Sequence, residues 1–247
     1  MCYSVSQTKS VQTLEHHYDV ENILGSVKPE KDLRYYHANG FSHPLMWILP
    51  QEQRNSIIPS LWGIMPSNKL GAGHVEYYKN AVRFGGGLNA QSEKLFHHFI
   101  YKFSAMGRRC IVPVTGFFEP HTAPKKFKVP FYFDRQDQNP ISLAGIYNVT
   151  KDGYNTFTIL TKPATPLFAK IHNTKLRRPV ILNDSDIDVW LDGSLSVSTI
   201  KEVIKDDMPD ELLRAYPVSK DVYNPKAHSD HKDIVLPVEY AEVAIDY

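Results

Sequence analysis

The sequence predicts an α+β fold, a mostly antiparallel, barrel-like β-sheet with peripheral helices. Short stretches rich in Val, Ile, Phe and Tyr recur between turn residues, and the 17 Pro and 13 Gly are scattered as turns between strands require. Strand and helix patterns do not alternate regularly, which excludes a doubly wound parallel sheet. At 247 residues the chain buries about 73% of the surface its unfolded form exposes, enough for a core without disulfides. No repeat, low-complexity tract or linker divides it, so residues 1–247 read as a single domain.

Strand patterns cover Pro44–Leu49, Ile57–Ile64, Cys110–Phe118, Pro130–Phe133, Ile141–Val149, Phe157–Thr161 and Arg178–Leu182. Lys151-Asp152-Gly153 marks a hairpin between two of them. A helix is expected over about Ala90–Met106, where Leu95, Phe96, Phe99, Ile100, Phe103 and Met106 follow the 3.6 period and Asn89 suits the N-cap. Thr165-Pro166 opens a short helix that buries Leu167, Phe168 and Ile171. Further short helices are expected at Val11–Val20, Asp184–Leu191 and Thr199–Lys205.

The 28 Lys+Arg against 27 Asp+Glu give a net charge of +1, which excludes a strongly basic, coat-like nucleic-acid binder and leaves room for local basic patches. Cys2 and Cys110 form no disulfide framework. Met1–Ser10 has no apolar signal-peptide region, and no apolar run spans a membrane. A soluble, cytoplasmic monomer with reduced thiols is the expectation.

Cys2 is the most informative residue. Once Met1 is removed, it presents an N-terminal 1,2-aminothiol. An α-amine is roughly 15% neutral at pH 7, several hundredfold more than a lysine. It can form a Schiff base with an aldehyde, and the neighbouring thiol can then close a five-membered thiazolidine ring. Position alone also allows Cys2 to be an inert second residue. Cys110, at the head of an apolar strand, reads as a small core residue.

Further signals follow in order: Leu61-Trp62-Gly63-Ile64-Met65-Pro66-Ser67, Gly85-Gly86-Gly87-Leu88-Asn89-Ala90-Gln91-Ser92-Glu93, Arg108-Arg109-Cys110-Ile111-Val112-Pro113 with Gly116-Phe117-Phe118-Glu119-Pro120, Ser142–Tyr147, Phe157–Thr161, Ile171-His172-Asn173 and Arg178–Leu182. With Cys at position 2, this order resembles the SOS-response-associated peptidase (SRAP) family, whose members cross-link covalently to abasic sites in single-stranded DNA. The resemblance runs from Cys2 to about Val235.

It implies that Met1 is removed, with self-processing described for the family, and that Cys2 attacks the abasic-site aldehyde. It further implies that Asn89 holds the reacting end and a neighbouring phosphate, and that Glu119 and His172 are catalytic. Residue chemistry agrees. A carboxyl at the end of the apolar stretch Val112–Phe118 should lose solvation, a setting that suits acid–base work. A histidine at a helix C-terminus is favoured as a proton carrier by the helix dipole. Without the resemblance, Asn89 reads as an N-cap, Glu119 as a hairpin residue and His172 as a satisfied helix end.

DNA contact calls for phosphate binders and stacking surfaces. The candidates are Gln91, Arg108, Arg109, Lys125, Lys126, Lys128, Lys175, Arg177 and Arg178, with Trp62, Met65 and Pro66 as an apolar wedge. Three departures from the family bear on DNA. Cys2-Tyr3-Ser4 stands for Cys-Gly-Arg, Gln91 stands for the Arg of Asn-Ala-Arg, and the segment from His172 to Pro179 is longer than usual. The histidine pairs at 16/17, 97/98 and 228/231 lack metal-ligand spacing, and Gly85–Gly87 is not a phosphate loop, so no metal or cofactor is expected. From a different class, a thiol or N-terminal-nucleophile peptidase would use Cys2 with Glu119 and His172 as base and orienter. A DNA-binding module without chemistry is the third reading.

Overall fold

A computed structural model describes residues 2–20, 22–23, 33–206, 208–241 and 243. Its strands are β1 (Ser4–Gln7), β2 (Asn22–Ile23), β3 (Tyr35–Asn39), β4 (Leu45–Pro50), β5 (Ser56–Trp62), β6 (Asn89–Gln91), β7 (Arg109–Val114), β8 (Gly116–Thr122), β9 (Lys128–Arg135), β10 (Ile141–Val149), β11 (Asn155–Pro163), β12 (Arg177–Pro179) and β13 (Leu213–Pro217). The α-helices are α1 (Val11–Tyr18), α2 (His74–Ala81), α3 (Lys102–Gly107), α4 (Pro166–Ile171), α5 (Ile187–Trp190) and α6 (Val197–Lys205). No helix is long and apolar enough to cross a membrane among the described residues.

Strands β5, β4, β7, β10 and β11 pair antiparallel in that order, and β11 returns to pair with β5 in parallel, closing a mixed barrel. Closure removes the free edges that such apolar strands would otherwise expose. Strand β10 (ISLAGIYNV) is buried along nearly its whole length, with one face toward each of the two large apolar clusters. The second sheet is antiparallel throughout, in the order β13-β9-β8-β1-β3. The barrel-like, largely antiparallel fold expected from the strand patterns is therefore present.

Two elements differ from their sequence patterns. The apolar stretch Cys110–Phe118 is not one strand: β7 belongs to the barrel and β8 to the second sheet, with Thr115 between them. The Thr115 N–H donates to Ser6 O (2.7 Å), and its hydroxyl accepts from Thr8 N–H (2.9 Å). These bonds tie the crossover to β1.

The helix expected over Ala90–Met106 is also absent as such. Asn89–Gln91 pairs in parallel with β11 (Ile159↔Asn89), a single 3-10 turn follows at Ser92–Lys94, and only Lys102–Gly107 is α-helical. The uncovered side of β11 competes for the Asn89 end, while Phe and His are indifferent helix formers. Asn89 is accordingly a strand residue and not an N-cap. Its approach is set by Gly85, Gly86 and Gly87, all at positive φ (85°, 61° and 70°). A Cβ on Gly87 would lie 2.7 Å from Ile64 O, so the close backbone approach there also requires glycine.

Candidate active site

The site forms where the second sheet meets the end of α4. Glu119 is an interior residue of β8, opposite Phe131 of β9, and its side chain is fully buried. On the other side of β8, the ladder with β1 (Ser4↔Phe118, Val5↔Phe117) runs the residues preceding Ser4 alongside Glu119. This pairing is why an N-terminal cysteine ends beside a carboxylate. Cys2 itself is buried in the main core cluster, and its S–H points to Ser4 O at 3.8 Å.

His172 caps the C-terminus of α4, as the Thr165-Pro166 helix start and the Phe168/Ile171 anchor lead one to expect. Its Nδ1 lies 3.1 Å from Glu119 Oε2 and 3.0 Å from the carbonyl oxygen of Arg177. A carbonyl oxygen can only accept, so the bond to Arg177 O assigns the ring hydrogen to Nδ1. The buried imidazole is thus fixed in tautomer and orientation against the carboxylate. Burial pushes the Cys2 thiol well above its ordinary range, and the charge of Glu119 pushes the same way. The thiol stays protonated at neutral pH.

Asn89 stands on the adjoining edge. Both polar atoms of its side-chain amide are buried without a hydrogen-bond partner among the described residues. Such a group costs about 1–3 kcal/mol if left unmet, which is the signature of a position completed by a ligand. A chain of contacts links it to the Glu119–His172 pair: β6 pairs with β11 through Gln91↔Thr161, Thr161 O accepts from Arg177 Nη2 (2.7 Å), and Arg177 O holds His172. A cavity of about 340 Å³ opens beside the pair, lined by Tyr3, Phe118, Pro120, His172, Lys175 and Tyr223 among others. In the sequence Tyr3 stands out only as a departure from Cys-Gly-Arg, and the β1–β8 register shows its place beside the pair; nothing in the sequence around Tyr223 marks it.

Most of the residues proposed from the sequence to hold DNA lie elsewhere. Trp62 is fully buried, stacks near Phe157 and donates its indole N–H to Leu88 O (2.9 Å). Met65 is also fully buried, so neither forms a wedge. The Arg109 guanidinium is spent inside the protein on the carbonyls of Trp190, Ala105, Met106 and Asp192. Arg178 is buried over the Phe168 ring (4.2 Å) and beside Asp210 (3.3 Å). Arg177 is committed to Glu93 in a two-bond clamp, and half-buried Gln91 lies in β6.

Lys125, Lys126, Lys128 and Lys175 are exposed, whereas Arg108 and Pro66 are half-buried on a broad groove. In that groove three phenyl rings face solvent: Phe84 (79% exposed), Phe99 (71%) and Phe103 (76%). Arg83 lies over Phe84 and Lys102 over Phe103, each at 4.8 Å. No cluster of metal-binding side chains occurs among the described residues.

Comparison with known proteins gives the family and the fold. Residues 1–225 match the family described as "SOS response associated peptidase (SRAP)". The chain belongs to the SRAP family. It is 28% identical over 237 residues to the abasic site processing protein YoqW of Bacillus subtilis, an alignment that covers 93% of this chain and 97% of YoqW. It is also 28% identical to the abasic site processing protein YMR114C of Saccharomyces cerevisiae, where the alignment covers 65% of this chain and 42% of the yeast protein. A solved structure from Bacteroides thetaiotaomicron superposes with a TM-score of 0.81 at 26% identity, covering 96% of this chain and all of that one. A Bordetella bronchiseptica structure shares the fold at a TM-score of 0.69 and 20% identity, covering 88% of this chain.

Proposed function

We propose that this protein processes abasic sites in single-stranded DNA by capturing them covalently through Cys2. Removal of Met1, which lies outside the described residues, is the precondition, because it creates the α-amine. The amine nitrogen then attacks C1′ of the ring-opened sugar. The carbonyl oxygen leaves as water with the two amine hydrogens, giving a C=N bond. The thiol adds across that bond, with sulfur to carbon and hydrogen to nitrogen, and closes a thiazolidine. Glu119 and His172 move the protons: the carboxylate takes one from the attacking amine, and the imidazole, carrying a second proton on Nε2, supplies that one to the departing oxygen. Run backwards, the same traffic releases the DNA.

The observation that carries this reading is the buried Glu119–His172 pair (3.1 Å) set against a neutral Cys2 thiol. A thiol peptidase needs a thiolate–imidazolium couple. Here the imidazole is engaged with a carboxylate, and the thiol is held protonated. An amine-first mechanism suits those protonation states. The unmet amide of Asn89 supports a role in holding the sugar or the phosphate beside it. The three exposed phenyl rings and their cations offer stacking and phosphate contacts of the kind unpaired DNA uses.

The test is incubation with a uracil-containing single-stranded oligonucleotide treated with uracil glycosylase, followed by a denaturing gel. A shifted band that survives heating is expected, absent with intact DNA and absent in Cys2→Ala. Intact mass should show loss of Met1. No band with the wild type rejects the proposal.

A further inference from the structure

Tyr223 shares the cavity beside the Glu119–His172 pair with Tyr3 and His172. Its backbone is held firmly. Val222 is buried in a cluster with Phe118 and Tyr132 of the second sheet, so the turn Lys220–Tyr223 is pinned over the strand that carries Glu119. The Ser219 hydroxyl accepts from Asp221 N–H (3.2 Å), and Val218 N–H donates to Pro130 O (2.9 Å). The ring stands at the cavity mouth with 37% of the residue exposed.

Its hydroxyl makes no hydrogen bond among the described residues. Several other tyrosines have their hydroxyls committed within the protein: Tyr18 bonds Ser142 (2.9 Å), Tyr35 donates to Leu45 O (3.0 Å), Tyr147 to Glu52 (2.8 Å) and Tyr240 to Val218 O (2.8 Å). An anchored phenol with an uncommitted hydroxyl beside a catalytic pair is placed for a ligand. Burial of the hydroxyl end raises its pKa, and the charges of Glu119 and Cys2 act in the same direction, so it remains a donor across the neutral range.

We propose that Tyr223 is a further catalytic residue, whose hydroxyl donates a hydrogen bond to the C1′ oxygen of the opened sugar as the amine nitrogen adds to C1′. This inference rests on the covalent-capture reading above. The phenol keeps its proton throughout. It steadies the negative charge that builds on oxygen as nitrogen attacks, while Glu119 and His172 carry the transferred protons, so the atom balance of the reaction is unchanged.

The experiment is single-turnover cross-linking of an abasic single-stranded oligonucleotide at saturating DNA, with binding measured separately on an oligonucleotide carrying the aldehyde-free tetrahydrofuran analogue. Tyr223→Phe keeps the ring and its packing. It should slow cross-linking about tenfold while leaving analogue binding within about twofold. Tyr223→Gln, which keeps a donor, should react faster than Tyr223→Leu, which has none. A Phe variant that keeps pace with a reactive wild type overturns the inference alone, as do equal rates in the Gln and Leu variants. A wild type that forms no cross-link overturns the covalent-capture reading and this inference with it.

Discussion

Replacing Glu119 by Gln separates chemistry from folding. The side chains are nearly isosteric, so the amide can occupy the same place, 3.1 Å from His172 Nδ1. Exchanging the charged neighbour of the imidazole for a neutral one costs about 1 kcal/mol. Glu119 is fully buried, so removing its charge also relieves a desolvation cost that offsets this loss. For a chain of this size about 1 kcal/mol corresponds to roughly 2–4 °C, so the melting temperature should move by no more than that. Proton transfer by a placed carboxylate accelerates a step by about 10²–10⁴. Single-turnover cross-linking of an abasic oligonucleotide, read on a denaturing gel, should therefore slow at least about a hundredfold in Glu119→Gln. A rate within about threefold of wild type, with the melt unchanged, would refute the assignment of Glu119 as proton carrier.

Three more outcomes are expected. Cys2→Ser keeps the amine and loses the sulfur, so it should give an adduct that borohydride traps but heating destroys; a heat-stable adduct without borohydride contradicts ring closure by sulfur. Phe84→Ala combined with Phe103→Ala should weaken binding of intact single-stranded DNA by roughly tenfold or more, since each stacked base contributes about 1–3 kcal/mol; fluorescence anisotropy at fixed salt checks this, and unchanged affinity removes the groove from the DNA path. His37 is buried with Nδ1 2.7 Å from Ser229 Oγ, and burial lowers its pKa to about 4 against the opposing pull of Asp230. The unfolded chain, with its histidine near 6.5, takes up that proton first, so this contribution is intact above about pH 7 and is lost as pH falls toward 4. Urea titrations should show a shallower acid limb in His37→Gln, and an identical slope would contradict the assignment.

The barrel was largely legible because its strands are buried on both faces and announce themselves as apolar runs. Ile141–Val149 matches β10 end to end. The short pieces that complete the site were not. Ser4–Gln7 and Asn89–Gln91 have no apolar alternation, and their strand character comes from partners distant in sequence. Cys2 could be singled out by its own chemistry, whereas Glu119 and His172 were marked only by the order of motifs that resembles the family; the structure sets the two 3.1 Å apart. The DNA-binding residues could not be chosen by type. Arg109 and Arg178 look like surface cations in the sequence, yet the first closes the carbonyl ends around α3 and α5, and the second packs on Phe168. Conversely, Phe99 and Phe103 follow a helical apolar period in the sequence yet face solvent, because only Lys102–Gly107 of the expected helix forms and its buried positions are Ser104 and Ala105.

The single-residue crossover at Thr115 has a mechanical corollary. The strand that emerges from the closed barrel carries straight on to Glu119 with no intervening loop to absorb slack, and Ser6 and Thr8 bolt the joint to the segment that delivers the amino end. Cys2 and the Glu119 carboxylate are therefore referenced to one rigid frame. A lesion deep in the barrel, far from any sugar, would misalign both together.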